Sequence, residues 1–541
     1  MSDILLVQPP IRDFFLTVKR TLPYGLASIA AALRREGFSV ELFDALATTK
    51  ARTVKRPAEL DHLQHYYARA DRSPFSLFHR FRHFGRPYAA VARAARSSGA
   101  FLVGISSLFT PYHREALQAA ESVKEALPDC RIVLGGHHAT LAPEDILNNT
   151  SVDFVLRGDG EAGMPALARL LSTGGDPAQI PGLVFRKTGG GLHRSDPAVA
   201  ADLDALAPPA KDLFDHRFYR RKEGPATVIT ASRGCPLQCS YCCMGSGAAM
   251  PYRRRSVASV MAEIEEDVRL RGVRFIDFED ENLSLDRQWF LDLLDRIRQR
   301  FGGRLVLRAM NGLYPASLDE RVVAAMKAAG FEALNLSLGT FSIEQMQRFR
   351  RKPLGEEFDL VLSLAEGNHM PVVGYILAGA PYQRAEDSVT DLVRLAERRV
   401  LVGLSVFYPV PGTVDYERCR RASVLPDSIA AYRSSALPVG HTTSRLELVT
   451  LLRLARLLNF MKSLVDRSER LPEPAPISTG AVVDVGDRIE LGRLLLAGFL
   501  HDGKIRGALP DGRVYEHLCN PQVAAAFLRG IASTELRGTG A

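Results

Sequence analysis

Arg233-Gly234-Cys235-Pro236-Leu237-Gln238-Cys239-Ser240-Tyr241-Cys242 is the stretch on which the reading of the fold turns. Its cysteines are spaced C-x3-C-x2-C, with an aromatic residue just before the last. Three thiolates on one short loop suffice to hold three irons of a [4Fe–4S] cube. The fourth iron then has no protein ligand, and an open coordination position is where a metal centre does chemistry. A structural zinc site is the plain alternative, but it takes four ligands, usually as two separated pairs. No second pair exists: Cys130, Cys419 and Cys519 stand singly and Cys243 adjoins the triad. Seven cysteines in 541 residues are too sparse, and odd in number, for a disulfide framework.

The surroundings of the loop are periodic. A strand at 226–231 runs into it, and strand-like runs follow at 275–278, 305–309, 333–338, 372–378 and 403–408, separated by helical patterns. Six strand–helix units over 216–415 predict parallel strands whose carboxyl ends form the working face. Residues 1–165 alternate in the same way, with strands at 4–7, 39–43, 101–106, 131–134 and 152–156 and helices at 24–36 and 113–127. This predicts a doubly wound, Rossmann-like α/β sheet. Within it, 45–98 reads as a helical, aromatic insertion (Tyr66, Tyr67, Phe75, Phe78, Phe81, Phe84), either packing or a lid over a bound ligand, with packing favoured because aromatic residues are core more often than cofactor contacts. Residues 166–215 read as a connector and 416–541 as a mainly helical C-terminal domain, with a hairpin through Pro510-Asp511-Gly512-Arg513.

Composition excludes several classes. An apolar share of 46% and a charged share of 24% are those of a globular protein. Met1-Ser2-Asp3-Ile4-Leu5-Leu6-Val7 enters a strand directly, without the basic start of a signal peptide. The most apolar late stretch, 446–465, is interrupted by Arg453, Arg456 and Lys462 at helical spacing, as in an amphipathic core helix and not a membrane span. Unpaired cysteines and an oxygen-sensitive cluster suit a cytoplasmic setting. The net charge of +8 is modest, and no nucleic-acid motif accompanies it.

The cysteine loop resembles the cluster loop of the radical S-adenosylmethionine (SAM) superfamily, in which SAM chelates the open iron and is split to a 5′-deoxyadenosyl radical. Upstream, Ser106-Ser107-Leu108 and Gly135-Gly136 resemble the S-x-L…G-G half of the cobalamin-binding fingerprint, and His137-His138-Ala139-Thr140 with Arg157-Gly158-Asp159-Gly160-Glu161 extend the similarity. Together these resemble the cobalamin (B12)-binding radical SAM enzymes over roughly residues 1 to 415. The resemblance implies a partial (β/α)6 TIM barrel over 216–415, a [4Fe–4S] cluster on Cys235, Cys239 and Cys242, SAM and cobalamin as cofactors, a small-molecule substrate, and a low-potential flavodoxin or ferredoxin as electron donor.

It also assigns residues. Gln8, Pro9, Ser106, Leu108, Gly135, Gly136, His138, Thr140, Gly158, Gly160 and Glu161 fall in the cobalamin loops. Tyr241, Glu279, Asp280, Arg308, Asn335, Ser337, Gly379 and Pro381 fall where SAM is contacted, with Glu279 and Asp280 toward its amino group and Arg308 toward its carboxylate. Two departures stand out. The loop Val7-Gln8-Pro9-Pro10-Ile11 lacks the histidine that supplies cobalt with a lower ligand. Ser337-Leu338-Gly339-Thr340-Phe341 lacks the glutamate that relatives place near the ribose, leaving Asn335 or Ser337 to serve. The implied reaction is methylation of an unactivated carbon, or of phosphinate phosphorus, from methylcobalamin onto a substrate radical. The alternatives are a radical SAM cyclase, oxidoreductase or rearrangement enzyme that transfers no methyl, and a cobalamin or cluster sensor. The C-terminal domain is expected to line the substrate pocket.

Overall fold

The computed structural model describes residues 2–14, 22–246 and 250–540. The N-terminal part is built on β1 (Ile4–Gln8), α1 (Tyr24–Arg35), β2 (Val40–Asp44), α2 (Tyr88–Ser98), β3 (Leu102–Ser106), α3 (His113–Ala126), β4 (Arg131–Gly135), β5 (Phe154–Leu156) and α4 (Gly160–Thr173). The sheet order is β2-β1-β3-β4-β5, all parallel. Helices α1 and α4 pack on one face, α2 and α3 on the other. Apolar strand residues fill both faces: Leu5, Val103 and Ile132 one way, Ile4, Leu6 and Val133 the other. Near-continuous apolar strands are what a sheet covered on both sides requires. The order reverses between β1 and β3, so a ligand crevice opens outside the ends of these two strands.

Two expectations need correction. A hairpin, β6 (Leu183–Arg186) and β7 (Leu192–Arg194), adds antiparallel to β5, so part of the supposed connector extends this sheet to seven strands. The insertion is not helical over 45–98. Its short strands, Ala51–Thr53 and Arg82–Phe84, join Ile11–Asp13 in a small antiparallel sheet, with one 3-10 segment at Ala58–Gln64. Pro57, Pro74 and Pro87 break helical continuity, and Tyr88–Ser98 is a helix of the main sheet. The aromatic residues do pack: Tyr67, Phe75 and Phe81 are buried in the same core as the following strands.

That second core surrounds six strands: β8 (Gly224–Ile229), β9 (Phe275–Phe278), β10 (Val306–Ala309), β11 (Leu334–Gly339), β12 (Val372–Ala378) and β13 (Leu401–Val406). Helices α5 (Val257–Arg271), α6 (Arg287–Phe301), α7 (Glu320–Ala329), α8 (Gly355–Gly367) and α9 (Ala385–Ala396) alternate with them. The strands pair parallel as β8-β9-β10 and β11-β12-β13. Single parallel bridges, Leu307 to Phe331 and Leu313 to Leu336, connect the two sets. Ile276, Phe278, Leu307, Leu334 and Leu336 face the helices. The opposite positions are polar: Asp277, Arg308, Asn335, Ser337 and Tyr375, as period-2 alternation dictates.

Helix α10 (Arg445–Asp466) begins with a capping box, Ser444 with Glu447, and packs on β13 and α9. Its buried Lys462 donates to four backbone carbonyls, of Leu395, Ala396, Arg398 and Arg537, tying the C-terminal tail down. Helix α11 (Arg488–Asp502), the hairpin Arg506–Ala508 with Val514–Glu516, and α12 (Pro521–Ala532) complete the chain. Among the described residues no helix is long and apolar enough to cross a membrane.

Candidate cluster and cobalamin site

Strand β8 delivers the chain to the cysteine loop at a carboxyl strand end. A short antiparallel pair, Ser232–Arg233 with Arg253–Arg254, closes the base of the loop. Ser240 pins its middle: its amide donates to the Phe349 carbonyl at 3.0 Å, and its hydroxyl donates to the Arg348 carbonyl and to Asp415 at 2.7 Å. The Asp415 amide returns a bond to the Ser240 carbonyl. Cys235, Cys239 and Cys242 are half-buried and not disulfide-bonded, and the charge on one is felt at the others. Burial raises the Cys235 thiol; burial also raises Cys239, against a lowering pull from Arg351. Among the described residues no three His, Cys, Asp or Glu side chains converge on a point suited to a single ion.

The SAM candidates fall into two groups. Tyr241, Ser337 and the cysteine loop come together through a residue the sequence reading missed, Arg351. Its guanidinium donates to the Tyr241 hydroxyl at 3.2 Å and to the Ser337 carbonyl at 2.8 Å. Glu279 is half-buried at the end of β9, and its carbonyl accepts from Asn311. The others have partners already. Asp280 is buried and accepts from the Ala231 amide and from the Ser232 hydroxyl at 2.6 Å. It braces the base of the cysteine loop instead of reaching outward, and its burial raises its pKa to about 7. Arg308 is bound to Asp277 at 2.5 Å and lies over Phe275. Asn335 accepts from the Tyr375 hydroxyl at 3.3 Å. Gly379 lies against Leu448 of α10, where a Cβ would come within 2.6 Å, and Pro381 is buried beside it.

On the cobalamin side, Gln8 ends β1 and Pro9 follows it, and Ser106 ends β3 and leads into Ser107-Leu108, on the two lips of the crevice. Gly136 has φ +121°, and a Cβ there would stand 2.6 Å from the Ser107 carbonyl; Gly135 has no atom nearer than 3.7 Å. Thr140 knits the loops together, donating to the Gly136 carbonyl and accepting from the Gly158 amide. Gly160 opens α4 against Ile29. Leu108 and Phe109 are 38% and 54% exposed, and the Ser107 hydroxyl is buried without a partner. Exposed apolar groups beside an unsatisfied hydroxyl fit a large ligand with apolar faces and polar edges. His138 is fully buried beside His113, ring centroids 5.4 Å apart, with a pKa lowered by burial to about 3 and neither ring nitrogen hydrogen-bonded. Glu161 is bound to Arg233 at 2.6 Å.

That last contact joins the two halves. Arg233, two residues before Cys235, bonds Asp159 at 2.8 Å as well as Glu161, and Arg253 bonds Asp159 too. Burial opposes ionisation of Asp159, but Arg233, the Ala200 amide and Arg253 hold its pKa below the ordinary value. From the far side, Gly412 in the loop after β13 faces Ser246, beyond the cysteines, and Leu141: a Cβ built there would stand 3.7 and 3.9 Å from them. The cysteine loop is therefore fastened to the strand-end loops of the N-terminal sheet.

Residues 79–168 match the model of the B12-binding domain, and residues 229–393 that of the Radical SAM superfamily. The chain therefore carries, in order, a match to a B12-binding domain and a match to the radical SAM superfamily. Among curated relatives it is similar to the hopanoid C-3 methylase of Methylococcus capsulatus, 27% identical over 73% of this chain and 68% of that one. It is also similar to the anaerobic magnesium-protoporphyrin IX monomethyl ester cyclase of Rubrivivax gelatinosus, 26% identical over 53% and 52%. Among solved structures it shares its fold with the radical SAM methyltransferase TsrM of Kitasatospora setae, with cobalamin and a [4Fe–4S] cluster bound (TM-score 0.57, 20% identity, 80% of this chain and 82% of that one). It likewise shares its fold with the cobalamin-dependent radical enzyme OxsB with aqua-cobalamin and SAM bound (TM-score 0.64, 13% identity, 100% and 77%).

Proposed function

We propose that this protein is a cobalamin-dependent radical SAM methyltransferase acting on an unactivated carbon, or phosphinate phosphorus, of a small molecule. The observation that supports it most is the fastening of the cysteine loop to Asp159 and Glu161, which sets the cluster ligands beside the crevice of the B12-binding domain. Cys235, Cys239 and Cys242 would hold the cluster, and the lips at Gln8-Pro9 and Ser106–Leu108 with Gly135-Gly136 would hold cobalamin. When bound, the cofactors supply radical generation from SAM and a transferable methyl group.

The chain's own residues do the holding. Asp280 and Ser240 fix the cysteine loop at its base and middle, so the ligands keep one geometry while SAM exchanges. Hydrogen abstraction from carbon needs no paired acid and base. The polar inner row Asp277, Arg308, Asn335 and Tyr375 lies under the site, in what we read as a partial (β/α)6 barrel. Leu448 and His441, against Gly379 and Tyr382, place the C-terminal segment at the rim, where it would border the substrate. The electron would come from a low-potential flavodoxin or ferredoxin.

A second reading, a cyclase or oxidoreductase without methyl transfer, is favoured by the similarity to anaerobic magnesium-protoporphyrin IX monomethyl ester cyclases, that of Rubrivivax among them. The products of SAM separate the two. Anaerobically reconstituted protein with cobalamin, SAM and a low-potential reductant is expected to form both S-adenosylhomocysteine and 5′-deoxyadenosine. 5′-Deoxyadenosine alone would favour the second reading, and neither product would end both.

A further inference from the structure

The cysteine loop has two flanks. One is closed by the B12-binding side through Arg233, Asp159 and Glu161. The other is covered by two short surface segments, 348–352 and 415–421. Ser240, next to Cys239 in the chain, reaches both: its amide donates to the Phe349 carbonyl, and its hydroxyl to the Arg348 carbonyl and to Asp415. The Phe349 ring, fully buried, meets the Tyr241 ring edge-on with centroids 4.9 Å apart. Arg418 ties the two segments together, donating to the Arg348 carbonyl at 3.1 Å. One peptide bond, one hydrogen bond of 3.0 Å and a second peptide bond thus lead from Cys239 through Ser240 and Phe349 to Arg350, whose side chain is exposed.

That surface is cationic. Arg350, just after the short helix Ile343–Arg348, adopts the left-handed φ of +56°. Arg351 is buried beside Gly339, whereas Arg350 and Lys352 stay outside. On the short helix Val414–Arg421, Arg418, Arg420 and Arg421 add to them. The carboxylates of 344–352 and 415–421 are each in an ion pair already: Glu344 with Arg348 at 2.5 Å, Asp415 with Arg418 at 2.6 Å and Glu417 with Arg420 at 2.7 Å. The positive charge left over is that of Arg350, Lys352 and Arg421. Exposed cations are ordinary on a chain of net charge +8; their place is what distinguishes these. Electron transfer slows steeply with distance, so a reductant too large to enter the crevice has to seat where the loop lies nearest the surface. A positive field at that spot draws and orients an acidic partner.

We propose that the surface made by 348–352 and 415–421 is the docking site of an acidic one-electron carrier protein that reduces the cluster, and that Arg350, Lys352 and Arg421 steer it there. This rests on the cluster reading above. A flavodoxin has the required chemistry: its anionic flavin hydroquinone gives one electron to the oxidised cluster and becomes the neutral semiquinone, so no bond forms or breaks and no proton moves. The complex belongs to the small, transient class of electron-transfer encounters, in which charge sets the rate of meeting more than apolar area sets the strength of holding.

The test is stopped-flow reduction of the reconstituted holoenzyme by flavodoxin hydroquinone at low ionic strength, followed at the cluster absorbance, in wild type and K352E/R421E. Lys352 and Arg421 make no side-chain hydrogen bond or ion pair among the described residues, so the iron and sulfide content and the thermal melt of the variant should match wild type. Its second-order rate is expected to fall about tenfold and to lose most of its dependence on salt, while K352R/R421K keeps the wild-type rate. Photoreduced deazaflavin, small and uncharged, should reduce all three proteins equally. A flavodoxin rate unchanged in K352E/R421E overturns the proposal. Equal losses with flavodoxin and with deazaflavin also overturn it, by placing the effect in the cluster itself. If the double variant assembles no cluster, R421E decides by the same comparison. Wild-type protein that binds no cluster would instead remove the functional reading beneath it.

Discussion

The two walls of the crevice hold their functional groups in opposite ways. On the B12-binding side the key positions are backbone: Gly136 passes under the Ser107 carbonyl with no room for a side chain, and Thr140 bonds glycine loops on either side. On the cysteine side the key positions are side chains, each held by another: Ser240 by Asp415, Ser232 by Asp280, Tyr241 by Arg351. A large cofactor gripped along its edges needs space and backbone polarity, whereas a metal cluster needs a few atoms fixed in place. The difference teaches where each wall is fragile: one to added volume, the other to removed partners.

The comparison can be broken most severely at the cysteines. Cys239→Ala is expected to abolish both cluster assembly and 5′-deoxyadenosine formation while cobalamin binding persists, measured as iron and cobalamin content per chain and SAM cleavage. Loss of cobalamin as well would mean that the walls are not separable. Next, Arg233→Ala leaves Glu161 buried without its partner and Asp159 with Arg253 alone, and is expected to cost about 3 kcal/mol in chemical denaturation, as removing one member of a buried pair does. Its benefit is pH-dependent. Asp159 titrates below its unfolded value, so the stability it adds is present above the ordinary aspartate pKa of 3.8 and is lost as pH falls further; Arg233→Ala should weaken that loss.

A smaller effect sharpens the backbone side. Gly136→Ala should cost about 1–3 kcal/mol through its positive φ and the Ser107 contact, whereas Gly135→Ala, whose Cβ would make only an ordinary contact with the Leu156 carbonyl, should leave the melt unchanged and weaken cobalamin binding by filling the cradle. A last effect, read as a slope against pH, is at Asp280. Its folded pKa of about 7 lies above 3.8, so the folded state binds the extra proton, and stability should fall as pH rises from about 4 to about 7. Asp280→Asn should flatten that slope in apoprotein urea titrations; an unchanged slope would mean another group is responsible.

Much of this was legible in the chain. The cysteine spacing and the strand–helix alternation are local patterns, and they place the parallel strands of both sheets. The crevice lips at Gln8-Pro9 and Ser106–Leu108 follow from strand ends. Three kinds of feature were not legible. The insertion read as helical because its apolar residues look periodic, yet Tyr67, Phe75 and Phe81 are buried by tertiary contact and three prolines prevent a helix. Glu161, Asp280 and Arg308 have the residue types a cofactor contact needs, but residue type does not tell which partner is nearer, and in each case it is a neighbouring protein group. Arg351 belongs to no motif: its position depends on a left-handed Arg350 and on Gly339 of β11, a coincidence of backbone geometry that spacing does not encode.

The central claim is that cysteine loop and B12-binding domain form one site. The spin relaxation of cob(II)alamin bound to the reconstituted protein tests it directly, compared with the cluster oxidised and with the cluster reduced to its paramagnetic state. A shared crevice predicts faster cobalt relaxation when the cluster is reduced, and no change on the same treatment of Cys239→Ala. Cobalt relaxation indifferent to the state of the cluster in the wild-type protein would contradict the account.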